Sequence, residues 1–120
     1  MREFAELGPL VLNDFVWFYR HYLPSQPESA DSYPYASPLQ ALLLNDLPAT
    51  FIVTGECDPL RDEGEAYAHS LQAAGVSVSL KCYTGMIHGF FMMPTVLAEG
   101  REAMEEAATT LRQAFSIYSE

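Results

Sequence analysis

A chain of 120 residues, 49% of them apolar, can bury one core. Its formal net charge of −10, from 16 acids against six Lys and Arg, excludes a nucleic-acid-binding or anionic-membrane surface. It has no Gly-rich phosphate loop, and its three histidines have no metal-ligand spacing with one another or with the two cysteines, so neither a metal nor another cofactor is expected.

The first apolar stretch holds Phe15, Val16, Trp17, Phe18, Tyr19 and Tyr22. The pattern predicts a helix over residues 14–22, capped by Asn13 and ended by Pro24. So wide an apolar surface is too much for a helix facing solvent. It is expected to pack on the chain's own sheet or to meet another chain. "PSQPESADSYPYASP" then reads as a surface connection rich in Pro and Ser.

"ATFIVTGE" predicts a strand over residues 51–54, buried on both faces and ended by Gly55. In the acidic stretch after it, "CDPLRDEGEAYA", Asp62 and Glu65 have the spacing of a capping box for a helix over residues 63–74. Ala66, Tyr67, Leu71 and Ala74 form its apolar stripe, with Gly75 just past its end. "VSVSLKCY" alternates Val76, Val78, Leu80 and Cys82 with polar residues, predicting a second strand over residues 76–82. A strand–helix–strand order implies a parallel pair joined by a crossover, with both carboxyl ends on one edge of the sheet. A last helix is expected over residues 96–118, where Leu97, Met104, Leu111 and Tyr118 recur every seven residues beside Ala108 and Phe115. Met86, Met92 and Met93 read as core filling.

Asp58 and His88 follow the two strands and so emerge at the same sheet edge, where open α/β folds build their sites. An aspartate accepting from one imidazole nitrogen fixes the tautomer and leaves the other nitrogen free as a general base. Each residue also has a plainer role open to it. Asp58 can cap a short turn through Pro59, and His88 can pack against Phe90 and Phe91 between Gly85 and Gly89. Cys57 and Cys82 read as small buried hydrophobes rather than nucleophiles, and two cysteines without a disulfide framework fit a reducing, cytoplasmic compartment.

"YASPL", "LPATFIVTGECDPLRDEGEAYAHSLQAAGVSVSLKCYTGMIHGFF" and the closing helix resemble the carboxyl-terminal third of an α/β-hydrolase, more closely that of the hormone-sensitive-lipase-like carboxylesterases. "REFAELGPLVLNDFVWFYRHYLP" is similar to that family's segment between the sixth and seventh strands. The resemblance implies a partial α/β-hydrolase fold and a single carboxyl-terminal unit over residues 1–120. Residues 1–35 would precede the seventh strand, and 36–120 would form the strand–helix–strand–helix part with the acid and His loops. It also implies carboxylic esters as substrates of the intact enzyme, with Asp58 as triad acid and His88 as triad base, and that the aromatic helix can border an acyl pocket.

The family's nucleophile sits in G-x-S-x-G, and its oxyanion hole uses H-G-G-G. The sequence contains neither pattern, so both are expected ahead of residue 1. Two functional classes remain. One is the acid–base part of a serine carboxylesterase or lipase, inactive alone. The other is a non-catalytic remnant that folds and self-associates as a small α/β unit. Two parallel strands form an unusually small sheet with an exposed interior-type edge. A homo-oligomer, or association with a missing amino-terminal part, is therefore expected.

Overall fold

The computed structural model describes residues 8–23 and 35–116. In chain order these form helix α1 (Leu12–Tyr22), a 3-10 turn (Pro38–Gln40), strand β1 (Thr50–Cys57), helix α2 (Arg61–Ala73), strand β2 (Val78–Ile87), a second 3-10 turn (Phe90–Met92) and helix α3 (Ala98–Ser116). β1 and β2 pair in parallel, from Thr50 opposite Val78 to Gly55 opposite Tyr83, with α2 as the connection between them. The expected parallel pair and its crossover helix are both present.

Each strand runs further than its local pattern implies. Gly55 continues β1 rather than ending it, because its missing side chain admits the other strand: a Cβ there would lie 2.6 Å from the Met86 carbonyl oxygen. After Gly55–Tyr83 the next paired residues are Cys57 and Ile87. Glu56 alone thus stands opposite Thr84, Gly85 and Met86, and β2 bulges there. The buried residue of β2 is Tyr83, whereas Cys82, expected inside, is exposed. Phe51, Ile52 and Val53 are only half-buried, so the strand expected to be covered on both faces is incompletely covered here.

Helix starts also differ from expectation. α1 begins at Leu12, and Asn13 is not its cap; the Asp14 carboxylate reaches back to accept the Val11 N–H at 3.1 Å. α2 begins at Arg61, and Asp62 does not cap it. The Asp62 carboxylate instead takes the Arg61 guanidinium through Nε and Nη2 at 2.9 and 2.8 Å. The end of α2 agrees with expectation. Gly75 has φ +85°, the Val76 N–H reaches the Leu71 carbonyl at 3.0 Å, and the Gly75 N–H reaches that of Gln72 at 3.0 Å. That pair of bonds caps the last carbonyls of the helix.

The core lies between the sheet and its helices. α2 buries Ala68 and Leu71, while Tyr83, Phe90 and Ala103 form a cluster with Val53, Met86, Phe91 and Leu97 packed around it. α3 approaches through its small residues: a Cβ on Gly100 would meet the Phe90 carbonyl oxygen at 2.5 Å. The expected seven-residue stripe is therefore not the buried face. Leu97 is half-buried, but Met104, Leu111 and Phe115 are exposed, and Tyr118 lies outside the described residues. Polar bonds hold α3 on β2. Lys81 Nζ meets Glu106 Oε2 at 2.7 Å and Glu102 Oε1 at 3.0 Å, and the Tyr83 hydroxyl donates to Glu106 at 2.8 Å.

α1 does not pack on the sheet as expected. None of its residues is buried, and among the described residues its ring contacts are internal, Phe15 on Tyr19 and Trp17 on His21. Phe15 and Tyr19 face Leu39, Leu60 and Tyr67 across an open cavity of about 460 Å³.

Candidate active site

Asp58 stands directly after β1, in the turn that leads to α2. Its backbone closes the turn twice: the Asp58 N–H donates to the Gly55 carbonyl at 3.2 Å, and the Arg61 N–H donates to the Asp58 carbonyl at 3.1 Å. Its carboxylate divides between two partners. Oδ1 accepts the Leu60 N–H at 2.8 Å, a side-chain turn of the kind Asp favours. Oδ2 lies 2.9 Å from His88 Nδ1. The turn contact and the histidine contact are thus made at once, one by each oxygen. The local bond sets the direction of the carboxylate that the histidine meets.

His88 comes directly after β2. Ile87, before it, pairs with Cys57, before Asp58, so the register of the sheet brings the two loops together. On the other side, Gly89 has φ +78° and opens the 3-10 turn that sends Phe90 into the core. Phe90 packs on Tyr83, with ring centroids 5.2 Å apart, and so anchors the loop behind His88. Asp58 is 14% exposed at its side chain and His88 39%, which leaves the imidazole open at the edge of the sheet. In the tautomer whose Nδ1–H points at the carboxylate, Nε2 is the acceptor nitrogen of the ring.

Two further groups at this edge escaped the sequence reading. The Glu56 carboxylate accepts the Gly85 N–H at 2.7 Å, and Arg61 Nη1 donates to the Glu56 carbonyl at 2.9 Å. No pattern in the local sequence separates Glu56 from the other acids around it. Only the bulge in β2 does so. The remaining histidine with a described side-chain bond, His21, is engaged on α1 with the Trp17 carbonyl at 2.8 Å. Cys57 is half-buried between β1 and the Asp58 turn, and Cys82 faces outward; neither belongs to the pair. Among the described residues no cluster of His, Cys, Asp or Glu is arranged to hold a metal ion, and no helix is long and apolar enough to cross a membrane.

Residues 2–92 match the family model of the alpha/beta hydrolase fold. The chain belongs to this α/β-hydrolase family. It is 34% identical over 97 residues to an ethyl acetate hydrolase of Pseudomonas putida, covering 81% of this chain and 30% of that protein. It is 44% identical over 82 residues to the carboxylic ester hydrolase LipN of Mycobacterium tuberculosis, covering 68% of this chain and 21% of that one. In three dimensions it resembles a hyperthermophilic esterase from the archaeon Pyrobaculum calidifontis. The TM-score is 0.88 at 41% identity, over 94% of this chain and 37% of the esterase. This α/β-hydrolase chain therefore spans between 21% and 37% of the length of these relatives. The two strands, their crossover and the flanking helices are a part of the α/β-hydrolase fold.

Proposed function

We propose that this α/β-hydrolase chain supplies the acid, Asp58, and the base, His88, of a carboxylesterase or lipase triad. The attacked ester would be opened by a serine carried on polypeptide outside these 120 residues. The observation that carries this reading is the 2.9 Å contact between Asp58 Oδ2 and His88 Nδ1 at the carboxyl edge of the sheet. His88 Nε2 would take the serine proton as the hydroxyl attacks the ester carbonyl, Asp58 would stabilise the imidazolium, and the same nitrogen would return the proton to the leaving alkoxide. Kinship with carboxylic ester hydrolases supports the substrate class. The free cysteines Cys57 and Cys82 support a reducing, cytoplasmic setting.

The test is a chimera in which this chain replaces the matching part of the Pyrobaculum calidifontis esterase, assayed on p-nitrophenyl esters. Turnover is expected, with His88→Ala abolishing it, at about 10⁶-fold in kcat, and Asp58→Asn lowering kcat about 10⁴-fold. An active chimera indifferent to both changes would refute the assignment. The 120-residue chain alone should neither turn over these esters nor be labelled by a fluorophosphonate.

A second reading, a unit that folds and self-associates, is favoured by the exposed rings of α1, where Trp17 is 56% and Phe18 54% exposed. Sedimentation at micromolar concentration tests it, a dimer or larger species being expected and a clean monomer counting against it.

A further inference from the structure

The bulge in β2 poses a problem that one side chain solves. Between the pairs Gly55–Tyr83 and Cys57–Ile87 the ladder is interrupted, and β2 must absorb two more residues than β1. A bulge leaves backbone groups without ladder partners and re-aims the side chains beyond it. Here Gly85 takes φ +71°, its N–H leaves the ladder, and His88 stands three residues further on. The direction of the His88 ring therefore depends on how firmly the bulge is held.

Glu56 is the residue opposite the bulge. Its carboxylate Oε2 receives the Gly85 N–H at 2.7 Å, a short hydrogen bond. Its own carbonyl is held by Arg61 Nη1 at 2.9 Å. Gly55 beside it has no side chain, so the Met86 carbonyl can close on β1. Glu56 thus grips the His88 strand with its side chain, while its backbone leads within two residues to Asp58.

We propose that Glu56 is a positioning residue for the Asp58–His88 pair: by clamping the bulged end of β2 at Gly85 it aligns His88 Nδ1 with the Asp58 carboxylate. The proposal rests on the acid–base reading above and extends it to a residue that touches neither the ester nor the reacting serine. Glutamine offers a carbonyl oxygen in the same place and should replace Glu56; alanine offers nothing.

Nuclear magnetic resonance of the full 120-residue chain tests this through two sites, the Gly85 amide and the His88 Nδ1 proton. Asp58→Asn serves as the reference for a broken pair and Leu71→Ala as the reference for general destabilisation. In the unaltered chain both protons should be protected from solvent exchange. Glu56→Ala should speed exchange at both by at least about fivefold, the worth of one net hydrogen bond. Glu56→Gln should stay within about twofold of the unaltered chain. Leu71→Ala, though less stable, should leave the His88 Nδ1 signal position unchanged.

If Glu56→Ala changes neither proton, or if folded Glu56→Gln behaves like the alanine variant, the positioning role is refuted while the pair stands. If Asp58→Asn leaves the His88 signal as it was, no pair exists to be positioned, and both the acid–base reading and this proposal fall. Should Glu56→Ala fail to fold, Glu56→Gln decides: a protected Gly85 amide and an unmoved His88 signal support the clamp, and loss of either overturns it.

Discussion

α1 and α2 are similar in length, 11 and 13 residues, and α1 is the more apolar of the two. Yet Ala68 and Leu71 of α2 are sealed from solvent, whereas no residue of α1 is buried. The difference lies in what the chain does on either side. α2 is bracketed by two strands that pair with each other, so its connection must lie across the sheet and its Ala68–Leu71 face must meet it. α1 has no such bracket. An apolar stripe states that a helix can be covered; the topology decides what covers it.

The largest effect expected from this contrast is at Leu71. Leu71→Ala should cost about 2–5 kcal/mol in urea denaturation, because the surrounding core cannot collapse fully into the space. Gly100→Val should come next, at about 1–3 kcal/mol, since even a Cβ there would meet the Phe90 carbonyl at 2.5 Å and push α3 off the 3-10 turn. The same denaturation curves measure it, and a loss smaller than about 0.5 kcal/mol would mean that α3 docks less closely than described.

The pH dependence of stability sharpens the comparison in a different way, because the polar staple of α3 has no counterpart in α1 among the described residues. Lys81 and the Tyr83 hydroxyl hold the Glu106 carboxyl below its ordinary 4.5. Its contribution is complete above that value and is lost as the pH falls through the lower, folded-state value. Burial first, and then the Glu106 charge, push Tyr83 above its ordinary 10.0, while Glu106 and Glu102 raise Lys81 above 10.5. Both contributions are complete below those ordinary values and are lost as the pH rises through the folded-state ones. Thermal melting should therefore show a plateau between about pH 5 and 9.5 with a fall on each side. In Glu106→Gln the acid-side fall should shrink. An unchanged acid limb would remove Glu106 from the staple. Lys81 and Glu106 are more than a third exposed, so the effect is smaller than those in the core.

The smallest effect should come from the other member of the comparison. Trp17→Ala should change stability by no more than about 0.5 kcal/mol, as expected for a side chain that is 56% exposed and whose ring contacts among the described residues lie within its own helix. A loss comparable to that of Leu71→Ala, at a concentration where the chain associates, would show that a second chain covers α1.

Much of the candidate site could be read from residue order alone. Phe51, Ile52 and Val53 mark a strand, Val78 and Leu80 mark another, and the helix between them requires the strands to be parallel. Asp58 and His88 must then emerge at one edge. What stayed hidden was long-range. Asp62 has the better spacing for a cap, yet it pairs with Arg61, and Asp58 closes the turn. Gly55 resembles a strand end locally and acts as a point of close approach. Glu56 resembles every other surface acid until the bulge opposite it is known.

The sequence by itself determined the elements and their order, because apolar periodicity, Gly75 and the strand–helix–strand pattern act over a few residues and constrain the chain to a parallel pair. It also determined that Asp58 and His88 share an edge, since order alone requires it. Only the tertiary structure decided that one Asp58 oxygen would serve the turn and the other the imidazole. It likewise decided that α3 would dock by Gly100 and Ala103 rather than by its larger Met104 and Leu111, and that α1 would keep its rings exposed. These outcomes depend on which surfaces come within van der Waals or hydrogen-bond distance. Distance across the fold is set by register, by the bulge at Gly85 and by the side chains that are missing at Gly55 and Gly100, none of which has a signature within a single stretch of chain.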